Sequence, residues 1–199
     1  LGRDFDIDGL FDEGYGAVLL SIGAHKSKPL RLEGEDMEGV YPSIEFLKAF
    51  NVEDRQLAKG RVGVIGGGNS AIDAARMALR LKGASSVSIL YRRTRDEMPA
   101  FAEEIEAAAQ EGIRIQTLVT PVRVVSEGGR LTGLECVRNE LGDADDSGRR
   151  RPVPIPGTEH VIPLDTLIVA IGEDSGIDAI SPARLSQIET TAWNTVSVN

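Results

Sequence analysis

The chain has 199 residues, 41% of them hydrophobic and 27% charged, and a formal net charge of −9. This is the composition of an ordinary globular protein with room for one sizeable core, and the acidic balance argues against broad binding to nucleic acid or to an acidic membrane surface. No apolar run approaches the roughly 18–20 residues of a membrane span and no secretory signal is visible. Cys136 is the sole cysteine, which excludes an internal disulfide or a C-x-x-C redox pair and fits a reducing cytoplasm.

Taken in order, Tyr15 to Ala24 (YGAVLLSIGA) reads as a buried strand ending in Gly-Ala. A polar connector follows. Pro42 to Phe50 then places Ile44, Leu47 and Phe50 on one helical face, with Pro42 at the helix start. Val62, Val64 and Ile65 form a short apolar run of the kind found in buried parallel strands. Beyond it, Ala71, Ile72, Ala75, Ala78 and Leu79 recur at helical spacing, and Gly83 stands where a terminal glycine would end the helix. Val87 to Tyr91 is the next strand. Pro99 is expected near the start of another helix, with Phe101, Ile105, Ala108 and Ala109 on its apolar face and Gly112 at its end. Ile113 to Leu118 makes a third strand.

From there the alternation of strand and helix stops. Val122 to Ser126 and Leu131 to Arg138 flank Glu127-Gly128-Gly129-Arg130, a hairpin signal. Residues 139–150 (NELGDADDSGRR) are nearly devoid of apolar content and are expected to form an exposed, solvated loop. Pro152 to Pro156 and His160 to Pro163 are proline-limited, an edge strand and a turn. Leu164 to Gly172 (LDTLIVAIG) is another buried strand ending in glycine. The tail from Glu173 is polar, with weak strand potential around Trp193 to Val198.

The chemistry concentrates after the Val62–Ile65 strand. Gly66, Gly68 and Ala71 give the spacing G-x-G-x-x-A. The first small residue allows a tight turn, the second lets the backbone approach a pyrophosphate, and the third lets helix and strand pack closely. The helix opening at Asn69 then points unpaired N–H groups and its positive end at the phosphates. The spacing alone would also suit a glycine-rich turn, but strand, turn, helix and second strand together read as a dinucleotide-binding βαβ unit. At the end of the second strand an NAD site usually places a carboxylate for the ribose 2′-OH. This chain has Tyr91, then Arg92 and Arg93. Guanidinium groups match a 2′-phosphate in charge and geometry, so the pair favours NADP(H); two solvated arginines on a surface turn are the simpler alternative.

The runs GVIGGGNSAIDAARMALRLKG, SILYRRTRDEMPA, EEIEAAAQEGIRI and LIVAIG, in this order, resemble the NADPH-binding half of the glutamate synthase small-subunit and dihydropyrimidine dehydrogenase type of FAD-dependent pyridine nucleotide oxidoreductases. YGAVLLSIGA and GEDMEGVYPSIEFL resemble that family's passage from its FAD domain into its NADPH domain. The resemblance implies an α/β, Rossmann-like three-layer fold with a parallel sheet, crossover helices and a small antiparallel β-meander, plus fragments of the adjoining FAD domain. It implies the end of a first FAD-domain segment over 1–24, a linker with a short helix over 25–58, an NADP(H)-binding domain over 59–172, and the start of the return to the FAD domain over 173–199.

Carried over residue by residue, Gly66, Gly67, Gly68, Asn69 and Ser70 match the pyrophosphate loop. Arg92 and Arg93 match the pair implied to hold the 2′-phosphate, and Ala170, Ile171 and Gly172 the strand end beside the nucleotide. The implied reaction is hydride transfer from NADPH to FAD and on to another redox centre. FAD is expected in the full-length protein and not on this chain, which shows one dinucleotide motif only. The expected partners are the FAD domain of the same polypeptide and a larger redox or iron–sulfur subunit, in the cytoplasm.

No catalytic side chain and no metal site are expected. Ser70 and Asp73 read as first-turn helix residues, and Glu103, Glu104 and Glu106 as a solvated helix face. Cys136 reads as a small apolar residue. Three alternatives stand beside this: a self-contained NADP-binding regulatory or sensor module, an NAD(H)-using member of the same flavoprotein family, and a small NADP-dependent dehydrogenase. The last usually needs a Tyr-x-x-x-Lys pair or a positioned His, and Tyr15, Tyr41 and Tyr91 have no Lys four residues on.

Overall fold

The computed structural model describes residues 4–146, 148–191 and 195–197. They fall into two compact units, Ser27–Gly172 and the pair of segments Leu1–Lys26 and Glu173–Asn199.

In chain order the elements are α1 (Ile7–Asp12), β1 (Ala24–Ser27), β2 (Val40–Pro42), α2 (Ser43–Asn51), β3 (Gly60–Ile65), α3 (Asn69–Arg80), β4 (Ala84–Tyr91) and α4 (Ala102–Gln110). There follow β5 (Arg114–Thr117), β6 (Val119–Glu127), β7 (Arg130–Ala144), β8 (Arg150–Pro154), β9 (His160–Pro163), β10 (Thr166–Val169), β11 (Glu173–Ser175) and α5 (Pro182–Leu185).

The larger unit is a three-layer α/β Rossmann-type fold. Its central sheet runs β2-β10-β3-β4-β5, with every pairing parallel. Because side chains alternate across a strand, each buried strand feeds two cores. Val62, Val64, Val87, Ile89 and Ile168 pack with α2, α3 and α4, whose contributions include Phe46, Ile72, Ala75, Ile105 and Ala108. Ile65, Leu90, Leu167 and Val169 face the other way and meet Val124, Leu131, Leu134 and Cys136 of an antiparallel meander. Gly63 faces that second core, where a Cβ would stand 2.6 Å from the Leu164 side chain. Full burial of a side chain such as Leu or Ile contributes about 1.5–3 kcal/mol, so both faces hold the sheet.

The meander is built on β7, which pairs β6 and β9 through its first part and β8 through Asn139 to Ala144. Gly128 and Gly129 turn the β6–β7 hairpin with φ of +58° and +77°, both in the region that the hairpin turn requires. Residues 139–144 are therefore strand and not the exposed loop expected from their polarity. β8 begins at Arg150, and Asn139 within β7 is buried. His160–Pro163 is likewise a strand, paired along β7, rather than a turn.

Other expectations are also corrected. α3 ends at Arg80 with Leu81 as its cap, so Gly83 is not the terminating glycine. Gly83 instead permits a close approach, since a Cβ there would lie 2.3 Å from the Ala58 carbonyl oxygen. Gly112 does follow α4 with φ +96°, as a terminal glycine should. Asp73 is the fifth residue of α3, past the first turn. α2 buries Ser43, Phe46 and Ala49, with Leu47 and Phe50 flanking that stripe. Phe101 caps α4 and is 64% exposed rather than buried.

In the smaller unit, β1 pairs β11, and Ile7, Ile177 and Ile180 form a core with Val18, Leu20, Leu185 and Ile188 around it. Tyr15 to Gly23, expected as a buried strand, has no ladder partner among the described residues and is irregular. Tyr15 and Leu19 are 58% and 90% exposed. A strand needs a neighbour for its backbone donors and acceptors. Thr190 and Val196 form an isolated bridge; residues 193, 194 and 198 of the expected terminal strand lie outside the described residues.

Candidate functional site

The chain leaves β3 through α3 towards β4 on one side, while β10 arrives on the other side from the meander. That reversal is a topological switch point, and α/β sheets bind ligands beyond the carboxyl ends of the strands at such a point, here β3 and β10. Gly66, which opens the turn Gly66–Ser70, meets Ala170, which opens Ala170–Gly172, there.

The three glycines do different things. Gly66 has φ +144°, and a Cβ on it would stand 2.1 Å from the Ala170 carbonyl oxygen. The Ala170 amide donates to the Ile65 carbonyl at 2.8 Å, locking the two strand ends together. A Cβ on Gly67 would stand 2.5 Å from the Tyr91 ring. Gly68, at the start of α3, is different: the only atom near its virtual Cβ is Pro99 Cγ, at 4.0 Å. Ala71 is fully buried against this turn.

No side chain caps α3. The first bonds back to the loop are from the Ala71 and Ile72 amides to the Gly68 carbonyl, which leaves the Gly68, Asn69 and Ser70 amides without an acceptor among the described residues. Unpaired N–H groups at the positive end of a helix attract an anion. Asn69 has a second task, for its Oδ1 accepts from the Phe101 amide at 3.0 Å, while the Ala100 amide donates to the Gly67 carbonyl at 3.1 Å. The segment after β4 is thereby clipped to the glycine turn.

That segment is dense with internal bonds. Tyr91 ends β4, and its hydroxyl donates to the Glu97 carbonyl at 2.7 Å. Glu97 and Thr94 form a reciprocal capping box, and Arg150 of β8 reaches Glu97 at 2.9 Å. The Thr94 hydroxyl first, and then Arg150, hold the Glu97 carboxyl below the usual carboxylate range.

The two arginines are separated. Arg93 is 3% exposed, pairs with Asp145 through Nη2, and donates through Nε to the Arg150 carbonyl at 2.6 Å. Arg92 is exposed, and its guanidinium has no partner among the described residues. Its carbonyl accepts from Asn139 Nδ2 at 2.8 Å. Ile171, following Ala170, is 42% exposed, and Gly172 turns the chain with φ +121°.

Other polar groups have plainer tasks. Glu104 and Glu111 grip Arg76, and Glu106 pairs with Arg95, so the acidic face of α4 is partly tied down and not simply solvated. Cys136 is fully buried in the core facing the meander, and burial pushes its thiol up to about 12. No group of three or more potential metal ligands occurs among the described residues, and no helix among them is long and apolar enough to cross a membrane. Asn139 and Asp145 sit beside the candidate site, though nothing in their local sequence marks them. Only their position in the β7–β8 hairpin brings them to the arginines.

Comparison with known proteins agrees with this fold. The profile of the family described as pyridine nucleotide-disulphide oxidoreductase matches residues 6–199. The chain is 46% identical over 201 residues to the beta subunit of an NADPH-Fe(3+) oxidoreductase from Geobacter sulfurreducens, a match covering 98% of this chain and 29% of that protein. It is 42% identical over 202 residues to the beta subunit of an NADP(+)-dependent formate dehydrogenase from Moorella thermoacetica, covering 100% of this chain and 28% of the relative. The small chain of an NADPH glutamate synthase from Halomonas elongata is 37% identical over 212 residues, covering 97% of this chain and 44% of the relative. The chain thus spans less than half the length of these relatives. Among solved structures, the Mycobacterium tuberculosis oxidoreductase FprA in complex with NADPH shares the fold with a TM-score of 0.70 at 20% identity, covering 83% of this chain and 52% of that one.

Proposed function

The chain belongs to the pyridine nucleotide-disulphide oxidoreductase family, and on that premise we propose that it is the NADP(H)-binding portion of a flavin-dependent oxidoreductase of the glutamate synthase small-subunit type. Gly66, Gly67, Gly68, Asn69 and Ser70 form the pyrophosphate turn in this reading. Arg92 and Arg93 select the 2′-phosphate, and Ala170, Ile171 and Gly172 line the nucleotide from the end of β10.

The observation that carries the proposal is Gly68. Gly66 and Gly67 are glycine because the protein's own atoms crowd them, whereas a Cβ at Gly68 meets open space beside unpaired amides. A glycine with no internal reason, at the positive end of a helix, is what close approach of a pyrophosphate requires. The exposed guanidinium of Arg92 adds a cation where the nucleotide's ribose would lie, in place of the carboxylate that would repel a phosphate.

When bound, NADPH would supply a hydride to FAD, from which electrons would pass on to another redox centre. The residues here bind and orient the nucleotide; none needs to move a proton. The flavin is assigned to a domain to which 1–24 and 173–199 contribute. That assignment is supported by Leu1–Lys26 and Glu173–Asn199 forming a compact unit of their own, distinct from the unit Ser27–Gly172. Residues 25–58 act as the connector that also supplies β2 and α2, with the nucleotide-binding core over 59–172. A larger redox or iron–sulfur subunit is the proposed acceptor, and the relatives' designations as beta subunits and small chains support a multi-part assembly. A cytoplasmic location belongs to the same proposal.

Titration of NADPH and NADH into the purified chain tests the site. NADPH should bind more tightly and raise the unfolding temperature by mass action, and the preparation should be colourless. Preference for NADH would overturn the NADP assignment. A yellow preparation with stoichiometric FAD and diaphorase activity would place the flavin on these residues. In the longer protein, NADPH should bleach the flavin absorbance rapidly; no bleaching would sink the hydride-transfer proposal.

A further inference from the structure

Arg93, one of the two arginines assigned above to selection of the 2′-phosphate, is a buried cation. A guanidinium taken out of water needs a charge partner and hydrogen bonds to be tolerated. Arg93 has both, in Asp145 and the Arg150 carbonyl, and both come from the β7–β8 hairpin. A phosphate binding directly to Arg93 would have to compete with the Asp145 carboxylate for a group that is 3% exposed.

The same hairpin strand holds the backbone on the other side of Arg92. Asn139 of β7 is 4% exposed, and its Nδ2 donates to the Arg92 carbonyl and to Thr120 Oγ1, each at 2.8 Å. The Leu118 amide donates to the Arg93 carbonyl at 3.1 Å, and the Asn139 amide to the Leu118 carbonyl at 2.8 Å. Arg150 closes the circuit by pairing with Glu97 further along the segment. Arg92 is thus fixed by its own carbonyl and by the anchored side chain of its neighbour, while its guanidinium stays unengaged and exposed.

We propose that the β7–β8 hairpin is a specificity brace: Asn139, Arg93 and Asp145 are positioning residues that aim Arg92 at the 2′-phosphate of NADP(H), and Arg93 is not itself the phosphate ligand. This rests on the nucleotide site proposed above. Pre-organisation explains the arrangement, because a long exposed side chain on a fixed backbone loses less freedom on binding than one on a mobile loop. It also gives the polar hairpin, which packs little apolar surface, a role in discrimination between two cofactors.

The test is a set of double-mutant cycles read by calorimetric titration with NADPH and NADH. D145N and N139A should each weaken NADPH about three- to tenfold while leaving NADH within about twofold. In an R92Q background, D145N, N139A and R93Q should each cost NADPH little more than R92Q alone. R93K, which can keep the pair with Asp145, should retain most of the preference. An R93Q loss that adds fully to the R92Q loss would show that Arg93 grips the phosphate itself and would overturn the brace. So would an NADPH/NADH ratio unmoved by D145N and N139A. If R93Q does not fold, R93K and D145N decide the question. R92Q that leaves the NADPH preference intact would instead sink the nucleotide site, which separates that failure from a failure of the brace alone.

Discussion

Two loops leave the carboxyl ends of neighbouring parallel strands in this protein, and they are built on opposite principles. The loop after β3 is backbone: three glycines, a helix start without a side-chain cap, and amides left unpaired. The loop after β4 is side chain: a tyrosine hydroxyl, a capping box, a buried arginine and two ion pairs to the β7–β8 hairpin hold it. The first presents donors that any pyrophosphate could use. The second commits nearly all its polar groups and leaves Arg92 exposed, so in the proposed site it is the loop that would discriminate. In the proposed site, general affinity and cofactor selectivity would be separated in the chain, though Asn69 and Ala100 clip the two loops together.

The largest effect tests the steric half of the comparison. Gly66→Ala places a methyl group 2.1 Å from the Ala170 carbonyl at a φ of +144°, and should cost on the order of 3–5 kcal/mol of stability. Chemical denaturation measures it, and a variant of parental stability would mean that the strand ends are not in contact.

Gly68→Val should do the reverse, keeping the fold and lowering NADPH affinity by about a hundredfold or more, which is ~2.7 kcal/mol. Thermal unfolding and NADPH titration on the same sample read both halves. Affinity within about threefold of the parent would remove the turn from the site.

Arg92→Gln should separate the two loops. Charge-assisted hydrogen bonds contribute roughly 1.5–3 kcal/mol each, so NADPH should lose about ten- to a hundredfold in affinity while NADH is nearly unaffected. Equal losses for both nucleotides would show that Arg92 acts only through general attraction.

The smallest effect concerns pH. The turn Gly66–Ser70 carries no ionisable side chain, whereas Glu97 holds the second loop with a carboxyl kept below its usual range by Thr94 and Arg150. A depressed folded-state pKa contributes stability that is present above the ordinary carboxylate value and lost as pH falls through the lowered one. Acidification should therefore loosen the second loop first. Hydrogen exchange at the Glu97 and Met98 amides, corrected for intrinsic rates, should rise on acidification relative to Gly66, and Glu97→Gln should remove that difference. Parallel behaviour of the two loops in the parent protein would contradict the comparison.

Much of this was legible locally. The G-x-G-x-x-A spacing, the apolar run before it and the helical period after it each reflect interactions within a few residues of one another, so the βαβ unit follows from the sequence. The Gly128-Gly129 hairpin does too, since its turn requires positive φ at both positions. The identity of the three glycines as candidates was readable; that two are crowded by Ala170 and Tyr91 and one is open was not, because those neighbours arrive on other strands.

Polarity misled where pairing is long-range. Residues 139–144 have the composition of a loop, yet β7 continues through them because β8 supplies a ladder and Arg93 supplies a counter-charge for Asp145 just beyond. Tyr15 to Gly23 has the composition of a strand, yet it remains irregular where no partner among the described residues completes its hydrogen bonds. Apolar pattern states which residues should be buried, but the partner decides whether they are. The sequence by itself determined the nucleotide fold, the glycine turn and the presence of two arginines beside it. Only the tertiary structure decided that one arginine is buried and paired while the other is exposed and unengaged, because the groups that separate them, Asn139, Asp145 and Arg150, are brought from 47 or more positions away by a hairpin on the opposite layer.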